Sequence, residues 1–136
     1  MGNTYVIAQV AAPVLDDAVP DLAGFRRVRD SHPELDGRFS LYVYARHAHA
    51  VAARMFAPLA GTWEDPATGS AATPLAALLL SLSSEARVRY DIRQGTKMGR
   101  PSLLRAEAWR AADGIRASVG GSCVPVLSGQ AEVDVR

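Results

Sequence analysis

The sequence has few of the residues that build disulfide frameworks or metal centres. Among its 136 residues are one cysteine and three histidines. Cys123 cannot form a disulfide within the chain, and with no histidine or basic group nearby in sequence it is predicted to be a small core residue rather than a nucleophile. His47 and His49 could bind a metal together, but zinc sites need at least three protein ligands, and no third ligand follows at suitable spacing. We therefore interpret both as turn residues and His32 as a solvated residue at a helix end, and we predict no metal site.

Long apolar runs and an excess of one charge are missing as well. No stretch approaches the roughly 18 to 20 apolar residues that a bilayer span needs, and no secretory signal is visible near the start. The net charge of +1 provides no basic face for nucleic acid or an anionic membrane. With 49% hydrophobic and 21% charged residues, the composition is that of a globular protein. We expect a single domain over residues 1–136, located in the cytoplasm.

The most informative stretch, residues 64–72, combines a carboxylate, two hydroxyls and a glycine ahead of an apolar run. Asp65 precedes Pro66, which favours an extended or turn conformation, and Gly69 allows a ligand to approach the backbone closely. The apolar run predicts a helix over about 69–82, whose first N–H groups and dipole would suit a carboxylate or phosphate. From these residues alone, a capped and buried helix without a ligand is an equally good interpretation.

The predicted helix is apolar on nearly every side. Leucines form one stripe along it, and alanines with Leu80 make the opposite face apolar too. Such a helix is expected to be buried on all sides, in this case as a plug at the centre of a sheet. Because Pro74 would delete a helical hydrogen bond, an alternative is a helix that begins later, with Thr73 as the cap and Pro74 in the first position.

The rest of the chain alternates as strands do, apart from a short surface helix near residues 20–31. Helical spacing of apolar residues indicates that helix, and Pro20 and Asp21 suit its first turn. Residues 112–114 carry a hairpin turn signal. In the strand at 38–45, Phe39, Leu41 and Val43 share one face. Strands are predicted over residues 4–10, 38–45, 51–58, 87–93, 103–110, 115–119, 123–127 and 130–133.

Several segments, taken in order, carry a family resemblance: residues 54–58, 64–71, 94–95 and 98–102, with glycines at 120, 121 and 129. They resemble the C-terminal half of the PhzF-like phenazine-biosynthesis isomerases, which share the diaminopimelate epimerase fold. The Asp-Pro-Ala-Thr-Gly-Ser-Ala block at 65–71 is the most specific of these segments. The resemblance implies an α+β fold in which a mixed or antiparallel β-barrel wraps around one central buried helix over about 69–82.

The same resemblance implies roles for individual residues. In the family, the active site lies in a cleft between two similar halves, with the start of each core helix pointing into it. By this likeness Asp65 would be a catalytic residue, as a polar or proton-handling partner. Thr68, Gly69, Ser70 and Ala71 would bind the substrate, with Gly69 and Ser70 forming an anion-binding turn. The resemblance implies neither a metal nor an organic cofactor.

The second wall of that cleft is not recognisable in this sequence. The other half of the family carries a glutamate base and a Gly-His-Pro segment, whereas His32-Pro33 here follows a serine. The paired-cysteine racemisation of diaminopimelate epimerase is not expected either, because Pro66 or Ala67 occupies the position of the thiol.

Two functions remain open at this point. The first is a cofactor-independent isomerase or epimerase that transfers protons on a small carboxylate-bearing or amino-acid-like metabolite. Its cleft would be completed by a second chain, in a homodimer or in a heterodimer with an N-terminal-half chain. The alternative is a non-catalytic half-domain, or a truncated remnant, that keeps the helix-start anion site and binds a small molecule or a protein.

Overall fold

A computed structural model describes residues 4–35 and 37–132 of the chain. Seven strands and three helices make up its regular structure, joined in part by 3₁₀ turns at Pro33–Leu35, Pro58–Ala60 and Thr96–Met98. In chain order the elements are β1 (Val6–Gln9), α1 (Ala12–Asp17), α2 (Leu22–Ser31), β2 (Leu41–His47), β3 (Ala50–Ala57), β4 (Thr62–Asp65), α3 (Gly69–Ser81), β5 (Arg87–Gln94), β6 (Ser102–Ala111) and β7 (Gly114–Gly120).

The strands form one mixed sheet in the order β1-β2-β3-β5-β6-β7, with β4 paired to β3. The β1–β2 and β3–β5 pairs are parallel and the remaining pairs are antiparallel. The hairpin predicted at residues 112–114 is confirmed, since Ala111 pairs with Gly114 across a two-residue turn. The prediction of an α+β fold is therefore confirmed.

Strand β2 is covered on both faces, which explains its nearly continuous burial. Tyr42 and Tyr44 point into the core that contains α3. Val43 and Ala45 point the other way, into a second apolar cluster that includes Phe25 of α2 and Leu15 of α1. The predicted shared face of Phe39, Leu41 and Val43 is confirmed as the side towards α1 and α2.

Helix α3 begins at Gly69, as predicted, but it is not buried on all sides. Six of its residues are buried: Ala71, Ala72, Leu75, Ala76, Leu79 and Leu80. By contrast, Leu78 is 39% exposed and Leu82, at the C-cap, is 76% exposed. Within the described ranges β1 and β7 end the sheet without pairing to each other, so one face of α3 has no strand over it. A closed barrel around a central helix stays a prediction.

Pro74 lies inside α3, so the alternative start at Thr73 is wrong. Having no N–H, Pro74 cannot donate to the carbonyl of Ser70 four residues earlier. The hydroxyl of Thr73 donates to the carbonyl of Gly69 at 2.9 Å. The helix nonetheless continues through Pro74 to Ser81.

The C-terminal part of the strand prediction is wrong. After β7, residues 121–132 have no helix or strand. The strand predicted at 123–127 is therefore not formed. Residues 130–132 of the strand predicted at 130–133 are not in a strand either, and residue 133 lies outside the described residues. Val124, Val126 and Leu127 are 83–95% exposed. Cys123 is exposed as well, which overturns its prediction as a core residue. Glycines and Pro125 give this segment weak strand propensity.

The histidine and capping predictions are largely confirmed. His32 is an exposed C-cap of α2, bonded to Glu34 at 2.8 Å. His47 is the last residue of β2 and His49 lies in the following turn. Asp21 is the N-cap of α2, so Pro20 lies just outside the helix and not in its first turn.

Neither a cluster of metal ligands nor a membrane-spanning helix is present in the described part of the chain. No group of three or more His, Cys, Asp or Glu side chains there could hold a metal ion. No helix there has the length and apolarity that a membrane crossing requires.

Candidate active site

Asp65 and Gln94 come together because β4 and β5 share one edge of β3. Strand β4 runs antiparallel to β3 and places Asp65 opposite Met55. Strand β5 runs parallel to β3 and places Arg93 opposite Ala52. The C-terminal ends of β4 and β5 therefore meet midway along β3, where Gln94 Nε2 donates to the backbone carbonyl of Asp65 at 2.6 Å.

Gln94 is the buried centre of a polar network. It follows the inward-facing residues of β5 and is 1% exposed. Its Nε2 also donates to Thr68 Oγ1 at 2.8 Å. Its Oε1 accepts from the Thr68 backbone N–H at 3.3 Å and from the Tyr42 hydroxyl at 3.2 Å. No buried side-chain N or O atom in the described ranges lacks a partner, as a stable buried network requires.

Asp65 is held at the start of α3 by the residue that caps the helix. Thr68 is the N-cap, but its side chain does not bond to the helix backbone. Instead, Thr68 Oγ1 donates to Asp65 Oδ2 at 2.6 Å, while the Ala67 N–H contacts Asp65 Oδ1 at 3.4 Å. The carboxylate is thus fixed next to the first turn of the helix.

The four predicted substrate-binding residues occupy two different environments. Gly69 and Ser70 form the first turn, where N–H groups have no carbonyl of their own helix to bond. Ser70 is exposed, and its Oγ lies 2.7 Å from the Tyr5 hydroxyl. Ala71 is fully buried, and its N–H donates to the Thr68 carbonyl at 3.2 Å. The structure therefore brings Asp65, Gly69 and Ser70 together at the helix start, where each is at least partly exposed, and buries Thr68 and Ala71 beneath them.

The turn after β5 packs tightly against the Asp65 motif. Gly95 has φ +76°, and a Cβ there would lie 2.9 Å from the carbonyl oxygen of Pro66 and still closer to that of Arg100. Only glycine fits this close approach without strain. Segments 64–71, 94–95 and 98–102, which carry the family resemblance, therefore converge on one place.

Tyr42 is held as a neutral hydrogen-bond donor. Burial raises the pKa of its hydroxyl well above the ordinary value, and the negative charge of Asp65 raises the pKa further. The side chain is fully buried. Its hydroxyl therefore remains protonated at neutral pH and donates to Gln94.

Two surface cavities differ in their relation to this network. One of about 620 Å³ adjoins the start of α3 and is lined by Ala67, Gly69, Pro101, Ser102, Leu103, Leu104, Arg105, Val119, Gly120, Gly121, Ser122 and Cys123. Another, of about 770 Å³, is lined by His49, Ala50 and residues 87–91 of β5. The larger cavity lies at the opposite end of β5 from Gln94, so the smaller one is the candidate substrate pocket.

Gln94 and Tyr42 were not among the site residues that the sequence predicts. A signal for Gln94 exists, because it continues the inward series Val88, Tyr90 and Ile92, where a polar residue must find buried partners. The sequence contains no such signal for Tyr42, because the alternation along its strand assigns its neighbours Leu41 and Val43, and not Tyr42, to the buried face.

The comparisons with known proteins agree on one family. The model for phenazine biosynthesis-like proteins matches residues 5–129. This match covers most of the chain and does not bear out a restriction to a C-terminal half. A crystal structure of a phenazine biosynthesis protein of the PhzF family from Bacillus anthracis superposes with a TM-score of 0.70 at 18% identity, over 89% of this chain and 43% of that one. That likeness supports the fold, with the seven-stranded sheet as a half-barrel.

Curated relatives carry isomerase names. The chain is 34% identical over 113 residues to trans-2,3-dihydro-3-hydroxyanthranilate isomerase of Pseudomonas chlororaphis, covering 78% of this chain and 40% of that protein. It is 37% identical over 123 residues to an uncharacterized isomerase of Deinococcus radiodurans, covering 85% of this chain and 38% of that protein. The chain therefore spans about two fifths of the length of these relatives.

Proposed function

Because the chain belongs to the phenazine biosynthesis-like protein family, we propose that it supplies one wall of an isomerase active site for a small carboxylate-bearing metabolite. The isomerase names of its relatives support this reaction class. Three of the relatives are named as isomerases of trans-2,3-dihydro-3-hydroxyanthranilate, a compound that carries a carboxylate and an amine. We propose a compound of this class as the substrate here.

The reaction would need only proton transfer, with Asp65 as the proton-handling residue. The observation that carries this role is the position of its carboxylate, held by Thr68 at 2.6 Å beside the first turn of α3. The N–H groups of Gly69 and Ser70 would bind the substrate carboxylate, since free N–H groups and the helix dipole both favour an anion there. Neither a metal nor an organic cofactor has a part in this mechanism.

The second wall of the cleft would come from another chain. Support comes from the exposed Leu78 and Leu82 on the open face of α3. A homodimer or a heterodimer with a separate chain would cover that face.

Deuterium incorporation tests the proposed function. The protein is incubated with trans-2,3-dihydro-3-hydroxyanthranilate in deuterated water, and the product is analysed by mass spectrometry. We expect solvent deuterium in the product and a rate about 100-fold lower in Asp65→Asn, because general acid–base catalysis by one group contributes at least that much. Asp113→Asn, in the exposed β6–β7 turn, should match the wild type. An equal rate in Asp65→Asn and the wild type contradicts the proposal.

The alternative is a non-catalytic half-domain that binds a metabolite or a protein, and the exposed Leu78 and Leu82 would suit a protein partner. Calorimetry separates the two functions. Binding of the carboxylate compound without any deuterium incorporation, in a preparation supplemented with every candidate partner chain, would support the alternative.

A further inference from the structure

We propose that Gln94 is a positioning residue that sets the direction of the hydrogen bonds ending on Asp65, and thereby assigns proton exchange with the substrate to Asp65 Oδ1. The inference deepens the proposed function of Asp65 and rests on it. Its evidence is the network of Tyr42, Gln94, Thr68 and Asp65, in which each donor and acceptor is fixed by its neighbours.

The orientation of the Gln94 amide follows from two backbone groups. The carbonyl of Asp65 can only accept, so the atom 2.6 Å from it must be Nε2. The N–H of Thr68 can only donate, so the atom 3.3 Å from it must be Oε1. The opposite orientation would put an acceptor against an acceptor and a donor against a donor, in a site that is 1% exposed.

This orientation decides where the Thr68 hydroxyl proton points. Gln94 Nε2 donates to Thr68 Oγ1 at 2.8 Å, so the hydroxyl oxygen is the acceptor in that bond. Its single proton is then directed to Asp65 Oδ2, at 2.6 Å. At the other end of the network, the Tyr42 hydroxyl donates to Gln94 Oε1 at 3.2 Å. The bonds therefore run in one direction, from Tyr42 through Gln94 and Thr68 to Asp65.

The two oxygens of Asp65 consequently differ. Oδ2 is engaged as the acceptor of a short bond, whereas in the described ranges Oδ1 has only the 3.4 Å contact from the Ala67 N–H. When Asp65 accepts a proton from the substrate, the bond between that proton and its donor atom breaks, the electron pair stays on the substrate, and the new O–H bond forms at Oδ1. Return of the proton to the substrate restores the carboxylate, and the Thr68 bond needs no reorientation in either step.

Matched threonine variants test the positioning role in turnover. Thr68→Val removes the hydroxyl at nearly constant shape, and we expect kcat to fall about 10- to 100-fold with little change in KM, because a charge-assisted hydrogen bond is lost. Thr68→Ser should restore most of the activity. Thr73→Val, which removes a hydroxyl one turn later in α3, should leave kcat little changed. Equal kcat in Thr68→Val and the wild type would overturn the inference.

A direct test is NMR of the isotopically labelled chain. We expect a slowly exchanging Thr68 hydroxyl proton with a scalar coupling to the Asp65 carboxylate carbon, and its loss in Gln94→Glu, where an acceptor replaces the Nε2 donor. The Thr73 hydroxyl, which donates to Gly69, is the internal control for an intact helix start. Absence of the Thr68 coupling in the wild type, with the Thr73 signal present, overturns the inference even if Gln94→Glu does not fold.

The two experiments together separate this inference from the proposed function. A Thr68–Asp65 coupling in a protein that incorporates no deuterium supports the direction of the bonds and overturns the proposed function. Deuterium incorporation without the coupling overturns the inference alone.

Discussion

At the scale of single residues, the site is held by polar side chains that are buried beneath the helix start. Tyr42 is fully buried, and burial together with Asp65 raises its pKa. The folded protein therefore holds the Tyr42 proton more tightly than the unfolded chain does, and this difference makes its contribution to stability depend on pH.

We expect the free energy of unfolding to fall above about pH 10, where an unfolded tyrosine loses its proton. Below that pH the Tyr42 contribution is fully present, and it is lost as the pH rises towards the raised folded-state pKa. Tyr42→Phe should cost about 1 kcal/mol at pH 8 through the lost hydrogen bond and should show a shallower decline above pH 10. Urea unfolding at pH 8 and pH 11 measures both. Some decline in the free energy of unfolding should remain in the variant, because burial also raises the pKa of Tyr44. An equally steep decline in the variant and the wild type would contradict the role given to Tyr42.

A second prediction concerns the glycine turn after β5. Gly95→Ala should lower the free energy of unfolding by about 3 kcal/mol, because the new methyl group would clash with two carbonyl oxygens at a positive φ. Gly99→Ala is the matched control, since its φ is +70° but nothing lies within 4 Å of a Cβ there. Gly99→Ala should lower the free energy of unfolding by about 1 kcal/mol. Thermal unfolding that shows equal losses would refute the packing argument.

The sequence predicts the residues of the candidate site better than it predicts the buried residues that hydrogen-bond to them. The motif places Asp65, Thr68, Gly69 and Ser70 together because they are neighbours in the chain. Gln94 is brought to them only by the register of β5 on β3, a long-range pairing that local patterns do not contain. Cys123 was predicted to be a core residue, but it lies in a segment without a strand and is exposed.

At the scale of elements, Arg54 connects three parts of the fold. From β3 it makes a paired hydrogen bond to Glu64 of β4, at 2.8 and 2.9 Å. It also donates to carbonyls at the end of α1, among them Leu15 at 3.1 Å and Ala18 at 2.8 Å. The Arg54 and Glu64 side chains are 13% and 9% exposed. Arg54 therefore helps to fix β4, the strand that ends at Asp65.

Arg54→Met should destabilise the protein by about 3 kcal/mol, because it leaves the Glu64 carboxylate and the α1 carbonyls without their donor in a largely buried place. Arg27→Met is the control, because the ion pair of Arg27 with Asp21 is exposed and 3.5 Å long. Its free energy of unfolding should differ from that of the wild type by no more than about 0.5 kcal/mol. Chemical denaturation measures both. Similar midpoints for the two variants would contradict this role for Arg54.

Long periodic elements were predictable, whereas the short elements α1 and β4 were not. The alternation of β5 and the apolar run of α3 predict those elements near their observed bounds. Helix α1, with six residues, and β4, with four, have too few positions to show a period. Both are held by tertiary contacts, α1 through Arg54 and β4 through β3. Such contacts override weak local preferences.

At the scale of the whole molecule, β1 and β7 do not pair with each other in the described residues, and apolar side chains face outward. Leu78 and Leu82 lie on the open face of α3, and Val124, Val126 and Leu127 lie on the C-terminal segment. We expect sedimentation to show a dimer of this chain, or a complex when the partner chain is present, because association would cover these side chains. A monomer under all of these conditions would count against the two-chain cleft.

We propose that the substrate carboxylate binds at the start of α3, beside Asp65. An NMR titration of the labelled protein with trans-2,3-dihydro-3-hydroxyanthranilate, alone and with any partner chain, tests this directly. Binding there should give the largest amide shifts at Gly69 and Ser70, and Asp65→Asn should change them. Largest shifts at His49 and residues 87–91, around the cavity at the far end of β5, would contradict it.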